Sequence, residues 1–218
     1  MDNKYDIAKD WLPRYTGMPV DDFGDYILLT NFQDYVDQFA DRFNSDVQGE
    51  NRPMSSSTNS DGLSIINFGI GSPNAATIMD LLVARKPKGV LFLGKCGGLK
   101  DSSEIGNLIL PIAAIRGDGT SNDYFPPEVP ALPSFKLHKF VSDKILDAGT
   151  DYRTGVIYTT NRRVWEHDKT FLKKLKNPHN LLNYKGLTFI VAVWTGLEPA
   201  TPCVTGMYSN QLNYQTVL

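Results

Sequence analysis

The chain has 218 residues, 41% hydrophobic and 21% charged, which is enough for one domain with a real core. A net charge of −2 sets up no general field for nucleic acid, and no apolar run is long enough to span a bilayer. Cys96 and Cys203 are the only cysteines and give no spacing for zinc or a disulfide framework. The charged N-terminus lacks a signal-peptide core, so a reducing, cytoplasmic setting is expected.

Tyr5–Tyr15 carries a weak helical spacing through Ile7, Ala8 and Trp11, which Pro13 is expected to stop. Tyr26–Thr30 reads as a strand. An amphipathic helix then runs over Phe32–Phe43, with Phe32, Tyr35, Val36, Phe39, Ala40 and Phe43 on an apolar face assigned to the core. The polar stretch Ser45–Asp61 reads as a loop or hairpin, and Leu63–Phe68 as the next strand. It runs into Gly69-Ile70-Gly71-Ser72-Pro73-Asn74 and a helix over Ala75–Arg85 that Ser72 or Asn74 would cap. Backbone N–H groups at such a corner make an anion or hydroxyl site, although a plain strand–helix turn has the same pattern.

Val90–Leu93 reads as a strand buried on both faces, breaking at a glycine corner, Gly94-Lys95-Cys96-Gly97-Gly98. Lys95 beside open N–H groups suits an anionic ligand, and a solvated turn lysine fits equally. Cys96 reads as a small buried filler. Leu108–Ile115 is a further apolar run. The irregular loop Arg116–Pro133, with Asp118, Asp123, Tyr124 and Phe125, is long for a mere connection; its aromatic pair beside Arg and Asp suits the mouth of a site for a flat ligand, with Arg116 and Phe125 as the candidates, against a proline-fixed surface loop. Phe135–Ala148 reads as a helix burying Leu137, Phe140, Val141, Ile145 and Leu146, with His138 in solvent. Thr154–Thr160 reads as a strand ending at Asn161-Arg162-Arg163-Val164-Trp165. Arginine there suits phosphate and tryptophan suits a base, with an ion-paired turn as the plainer alternative. Lys169–Lys176 is the last helix.

The segments INFGIGSPNAATIMDLL, KGVLFLGKCGGLKDSSEIGNLILPIAAIRGDGTSNDYFP and TGVIYTTNRRVWEHD resemble the nucleoside phosphorylase and nucleosidase superfamily. Within it, Thr30–Tyr35 (TNF-x-x-Y) and Asn161–Asp168 (NRRVWEHD) are most similar to the AMP nucleosidases of the short bacterial form. The resemblance implies a three-layer α/β/α fold around a mixed sheet, homo-oligomers (often hexamers), and no metal or organic cofactor. It implies hydrolysis of AMP to adenine and ribose 5-phosphate through an oxocarbenium-like state. The substrate-binding residues expected from corners and resemblance together are Thr30, Asn31, Arg52, Gly69, Gly71, Asn74, Lys95, Gly97, Arg116, Phe125, Asn161, Arg162, Arg163 and Trp165. Phosphorolytic relatives hold free phosphate with a Gly-Asp-Pro segment and arginines. Thr30-Asn31-Phe32 and Phe92 replace two of those contacts here, which favours water as the attacking group. Arg52 matches an arginine that relatives lend to a neighbouring subunit. For the 5′-phosphate, Lys95, Arg52, Arg162 and Arg163 remain as cations.

The likeness covers residues 1–176. The resemblance requires a Met-Glu pair for the ribose hydroxyls and an aspartate that protonates adenine, and neither follows. After Gly186 the only charged side chain is Glu198. Residues 177–218 therefore read as an unrelated tail replacing the end of the domain, with Leu187–Trp194 able to form a strand. The expectation is an incomplete domain with an open sheet edge, poor stability and impaired catalysis. A purine nucleoside phosphorylase, another nucleosidase, or a non-catalytic nucleotide-binding remnant are the alternatives.

Overall fold

Asn3 opens the first helix, α1 (Lys4–Thr16), by accepting the backbone N–H groups of Tyr5 and Asp6 on its side chain. Pro13 does not stop it. The helix runs through the proline to Gly17, whose φ of 74° is the left-handed stop. One missing hydrogen bond is outweighed by the burial of Ala8, Leu12 and Thr16 along one face. The structure, a computed structural model, describes residues 3–99, 103–162, 167–176 and 186–195.

The strands are β1 (Tyr26–Thr30), β2 (Ser55–Thr58), β3 (Leu63–Asn67), β4 (Gly89–Gly98), β5 (Leu108–Ile109), β6 (Ala113–Ile115), β7 (Tyr152–Arg153), β8 (Val156–Tyr158) and β9 (Gly186–Thr195). The remaining helices are α2 (Gln33–Phe43), α3 (Ser72–Leu81, with a 3-10 turn over Leu82–Ala84), α4 (Phe135–Asp147) and α5 (Lys169–Lys176). Seven strands make one mixed sheet in the order β2-β3-β1-β4-β9-β5-β7, and β6 pairs with β8 separately. In the sheet β3, β1 and β4 are parallel, β2 is an antiparallel edge, and β9 runs antiparallel to β4.

Successive residues of each strand face opposite ways, so both faces must be covered. Ile27, Leu29, Ile66, Val90 and Phe92 point to α1 and α3, where Leu12, Ile78 and Met79 close the main core. On the other face Ile65 meets Val36 and Phe39 of α2, and Leu91 meets Leu137, Val141 and Ile145 of α4. The result is the three-layer arrangement expected of the sequence.

Four expectations change. The run Leu108–Ile115 is not one strand. It divides at Pro111, β5 staying in the large sheet and β6 joining β8. On α4 the i, i+4 set Leu137, Val141 and Ile145 faces the sheet, leaving Phe140 and Leu146 more than half exposed, whereas His138 is half-buried. Gly94–Gly98 is not a corner but the second half of β4, in extended backbone. Gly94 is needed for space: a Cβ there would lie 2.6 Å from the Phe92 ring, which packs in the core. Finally, the sheet has no gap beside β4. Residues 186–195 of the tail fill it as β9, along the whole length of β4, as their uncharged, β-branched content allows. Among the described residues no helix is long and apolar enough to cross a membrane.

Candidate functional site

The parallel strands β1, β3 and β4 come level at Thr30, Asn67 and Leu93. Beyond this line, at their carboxyl ends, lies the crevice in which open α/β sheets take ligands. Thr30 is fully buried; its hydroxyl accepts the Phe32 N–H at 3.2 Å and its carbonyl accepts the Phe68 N–H at 3.0 Å. This ties the ends of β1 and β3 together. Asn31 follows, its Oδ1 closed from solvent and without a donor.

After β3 the chain makes the predicted glycine corner. Asn67 Oδ1 accepts the Gly69 N–H at 3.0 Å, and Gly69 and Gly71 have φ of 80° and 103°, which only glycine adopts cheaply. α3 starts at Ser72 with no side chain capping it. Neither predicted cap serves: Ser72 Oγ bonds Thr120 Oγ1 at 2.7 Å, and Asn74 Nδ2 donates to the Ile70 carbonyl at 3.1 Å. In the first turn of α3 Pro73 has no N–H and the Ala75 N–H bonds the Gly71 carbonyl at 3.2 Å, which leaves the Ser72 and Asn74 N–H groups without a hydrogen bond among the described residues.

β4 continues past Leu93, where β1 has ended. From Gly94 to Gly98 its only strand partner among the described residues is β9, so on the β1 side Gly97 borders the crevice rather than a strand. Lys95 projects from this half of β4 on the α2 face. Its ammonium lies 4.4 Å from the centre of the Phe32 ring and 5.5 Å from that of Tyr35. These two rings, assigned to the core from sequence, form an aromatic platform for a half-buried cation. Burial raises the Tyr35 phenol above its ordinary pKa, with Asp34 adding to the effect.

The 116–125 loop covers the α3 side and is bonded to it through Thr120. Arg116 donates all five guanidinium bonds to its own loop: to Ser121 Oγ, Asn122 Oδ1 and the carbonyls of Phe125, Pro126 and Val129, at 2.7–2.9 Å. It is a clamp rather than a free cation; Phe125, half-buried, is held by that clamp through its carbonyl. Tyr124 donates to Asp80 Oδ2 at 2.8 Å, and Lys4 pairs with the other oxygen, joining the loop to α3 and α1. Burial first, then Asp80, raises the Tyr124 hydroxyl well above its ordinary pKa. Asp118 is 7% exposed; Oδ1 accepts from Thr159 at 2.5 Å, while Oδ2 has no hydrogen-bond partner among the described residues. The sequence placed Asp118 in this loop beside a possible site mouth, but gave no sign that its carboxylate would be buried.

Asn161 lies exposed beyond β8. Arg162 is paired with Asp168 at 2.7 Å and stacked 4.8 Å over Phe171. The Asp168 carboxyl is held below its ordinary pKa, mainly by the Phe171 N–H, then by Arg162. Arg163 and Trp165 lie outside the described residues. Arg52 is exposed on the β2 side, where it lines a cavity of about 430 Å³ with Gln33, Ser55 and Asn67. Gln33 Oε1 accepts from both Ser55 and Asn67 there. The structure thus gathers Thr30, Asn31, Gly69, Gly71, Asn74, Lys95 and Gly97 at one end of the sheet, with Arg52 alongside. Arg116 and Arg162 are committed elsewhere. Among the described residues no group of three or more His, Cys, Asp or Glu side chains is placed to hold a metal.

Residues 25–184 match the family model described as "Phosphorylase superfamily". Over 208 aligned residues the chain is 28% identical to AMP nucleosidase of Escherichia coli strain K12, covering 75% of this chain and 43% of that protein. It is 25% identical over 157 residues to uridine phosphorylase of Treponema pallidum, covering 70% of this chain and 61% of the relative. The chain therefore spans less than two thirds of these curated relatives. Among solved structures, AMP nucleosidase from Bacteroides thetaiotaomicron is 46% identical, with a TM-score of 0.81, covering 99% of this chain and 87% of that one. Uridine phosphorylase from Vibrio fischeri shares the fold at 20% identity, with a TM-score of 0.67 over 89% of each chain.

Proposed function

The chain belongs to the Phosphorylase superfamily, and from that premise we propose that it acts on the N-glycosidic bond of a purine nucleotide, AMP, with water as nucleophile. The observation that carries this reading is the replacement of a phosphate-holding strand by a core strand. Phe92, where phosphorolytic relatives are expected to carry arginine, is 2% exposed and packed on Phe68 with ring centres 5.9 Å apart. A co-substrate phosphate finds no arginine at position 92, which leaves Lys95, the one cation of that strand, to meet the phosphate that the nucleotide itself carries. The ribose and base would lie along the open edge of β4, between the Thr30–Asn31 turn and the Gly69–Gly71 corner. An oxocarbenium-like ribosyl centre needs only a positioned water and a leaving base that takes a proton. The names of the relatives of 28% and 46% identity support AMP as substrate.

The test is adenine release from AMP and from adenosine, each with and without inorganic phosphate. Release from AMP that is indifferent to added phosphate supports hydrolysis. Release that requires phosphate replaces it with phosphorolysis.

A second reading, nucleotide binding with little or no turnover, has its own support. Residues 177–218 contain a single acid, Glu198, and no Met-Glu pair. The groups that would hold the ribose and protonate adenine are thus missing from that segment. AMP binding by calorimetry without adenine release distinguishes this reading. A homo-oligomer in which Arg52 serves a neighbouring subunit completes the proposal, and its molar mass in solution tests it.

A further inference from the structure

We infer that Lys95 is the residue that selects a phosphate dianion at this site, and that the rings of Phe32 and Tyr35 hold its ammonium ready for that ligand. The inference rests on the crevice reading above and goes further by assigning one cation. Of the side chains left open by the sequence, Arg162 is paired with Asp168 and Arg52 is exposed on the β2 side. The Arg116 guanidinium, also near the loop, spends its five donors on the 116–129 segment. Lys95 differs from all of these. It is half-buried, touches two aromatic faces, and among the described residues forms no ion pair with a carboxylate.

The chemistry of that environment is one-sided. A ring face attracts an ammonium but has no lone pair to accept its hydrogen bonds. The three N–H donors of Lys95 are thus oriented without being used, and removing a cation from water without a counter-ion is unfavourable. An arriving dianion supplies both the charge and the acceptors. The platform also fixes the long side chain, so less entropy is lost when the ligand binds. Lys95 reaches the α2 face from the half of β4 that lacks β1, level with the Thr30–Asn31 turn. The uncapped first turn of α3, at the end of β3, adds a positive field of the same sign.

A phosphate dianion can come from a nucleoside 5′-monophosphate or from free inorganic phosphate. The experiment measures binding of AMP, adenosine and inorganic phosphate to the full chain, with Lys95→Met and Lys95→Arg alongside. Methionine keeps a stem of similar length over the rings and removes the charge. Loss of a charge-assisted contact should weaken AMP by about tenfold or more in Lys95→Met, leave adenosine unchanged, and be largely reversed in Lys95→Arg. Phe32→Leu should weaken AMP by a smaller factor, about threefold, because the charge stays while its platform is lost.

If Lys95→Met instead weakens inorganic phosphate and leaves AMP alone, the dianion is free phosphate. The selection by Lys95 then stands and the 5′-phosphate source falls. AMP and phosphate affinities both within twofold of the parent chain in Lys95→Met, with an unchanged circular dichroism spectrum and melting temperature, would overturn the inference. The glycosidic reading survives that result if adenine is still released. Conversely, AMP binding that depends on Lys95 without any adenine release supports the inference and removes the catalytic reading.

Discussion

Replacing Arg116 tests whether the loop beside the crevice is held by one side chain. Its five bonds are not equal. Those to the Pro126 carbonyl and Asn122 Oδ1 are exposed, and water can replace them. Those to Ser121 Oγ and the carbonyls of Phe125 and Val129 are partly buried. At a net of about 1 kcal/mol each, the figure for an ordinary hydrogen bond, the three together are worth about 3 kcal/mol. Burial also pushes the Arg116 guanidinium below its ordinary pKa, more strongly than the nearby carboxylates of Asp118 and Glu128 raise it. The cost of that desolvation is recovered in Arg116→Met, so about 2–3 kcal/mol of net loss is expected. Most of it should appear as local opening, because the loop meets the core through few apolar side chains. Amide exchange over residues 117–129 should then accelerate by about 30- to 100-fold. Arg116→Lys keeps the charge but cannot fork towards five acceptors, so it should lose nearly as much. Exchange in Arg116→Lys within threefold of the parent chain would refute the clamp, and would leave charge alone as the role of Arg116.

Four further outcomes follow from the same geometry. Gly71→Ala forces a Cβ onto backbone with φ of 103° and should cost about 1–3 kcal/mol in urea unfolding, together with weaker AMP binding as the corner shifts. Asn3→Ala removes the acceptor for two backbone N–H groups of α1 and should cost about 1 kcal/mol, with AMP affinity unchanged. Asp25 is held below its ordinary pKa, mainly by its hydrogen bond from Lys88 and also by Arg85. A depressed carboxylate stabilises the fold above its unfolded pKa, and this contribution fades as pH falls from about 3.8 through the lower folded value. The stability of Asp25→Asn should accordingly fall less steeply than that of the parent chain in acid titrations. A chain ending at Lys176 should aggregate and bind no AMP, since β5 and β7 join the sheet only through β9; soluble material with parental affinity would mean that β9 is dispensable.

Where a residue's neighbours are close in sequence, its role was legible. β1 and α5 fall on the ranges read from pattern, and the Gly69–Gly71 corner was visible because positive φ nearly requires glycine. Gly94–Gly98 misled for the same reason in reverse. Glycine also admits a bulky neighbour, and in β4 it yields space to Phe92 instead of turning the chain. Lys95 was legible as a cation near a ligand, but its platform was not, since Phe32 and Tyr35 arrive from the far side of β1. Arg116 looked like a contact for substrate because its five acceptors are mostly main-chain carbonyls, which composition does not reveal.

The arrangement of the sheet explains why the tail and the site cannot be treated separately. β1 supports β4 only as far as Leu93, and beyond it the only strand that pairs with β4 among the described residues is β9. That leaves this half of β4 without a strand neighbour on the β1 side among the described residues, and such an edge is tolerated only if something pairs with it or the strand is fixed from the other side. β9 supplies the second condition, so a ligand can supply the first. The same segment that lacks the expected acid and Met-Glu pair thus contributes the backbone that keeps Lys95 and Gly97 in place. A tail without those side chains can therefore still support binding, because binding draws on its hydrogen-bonded main chain.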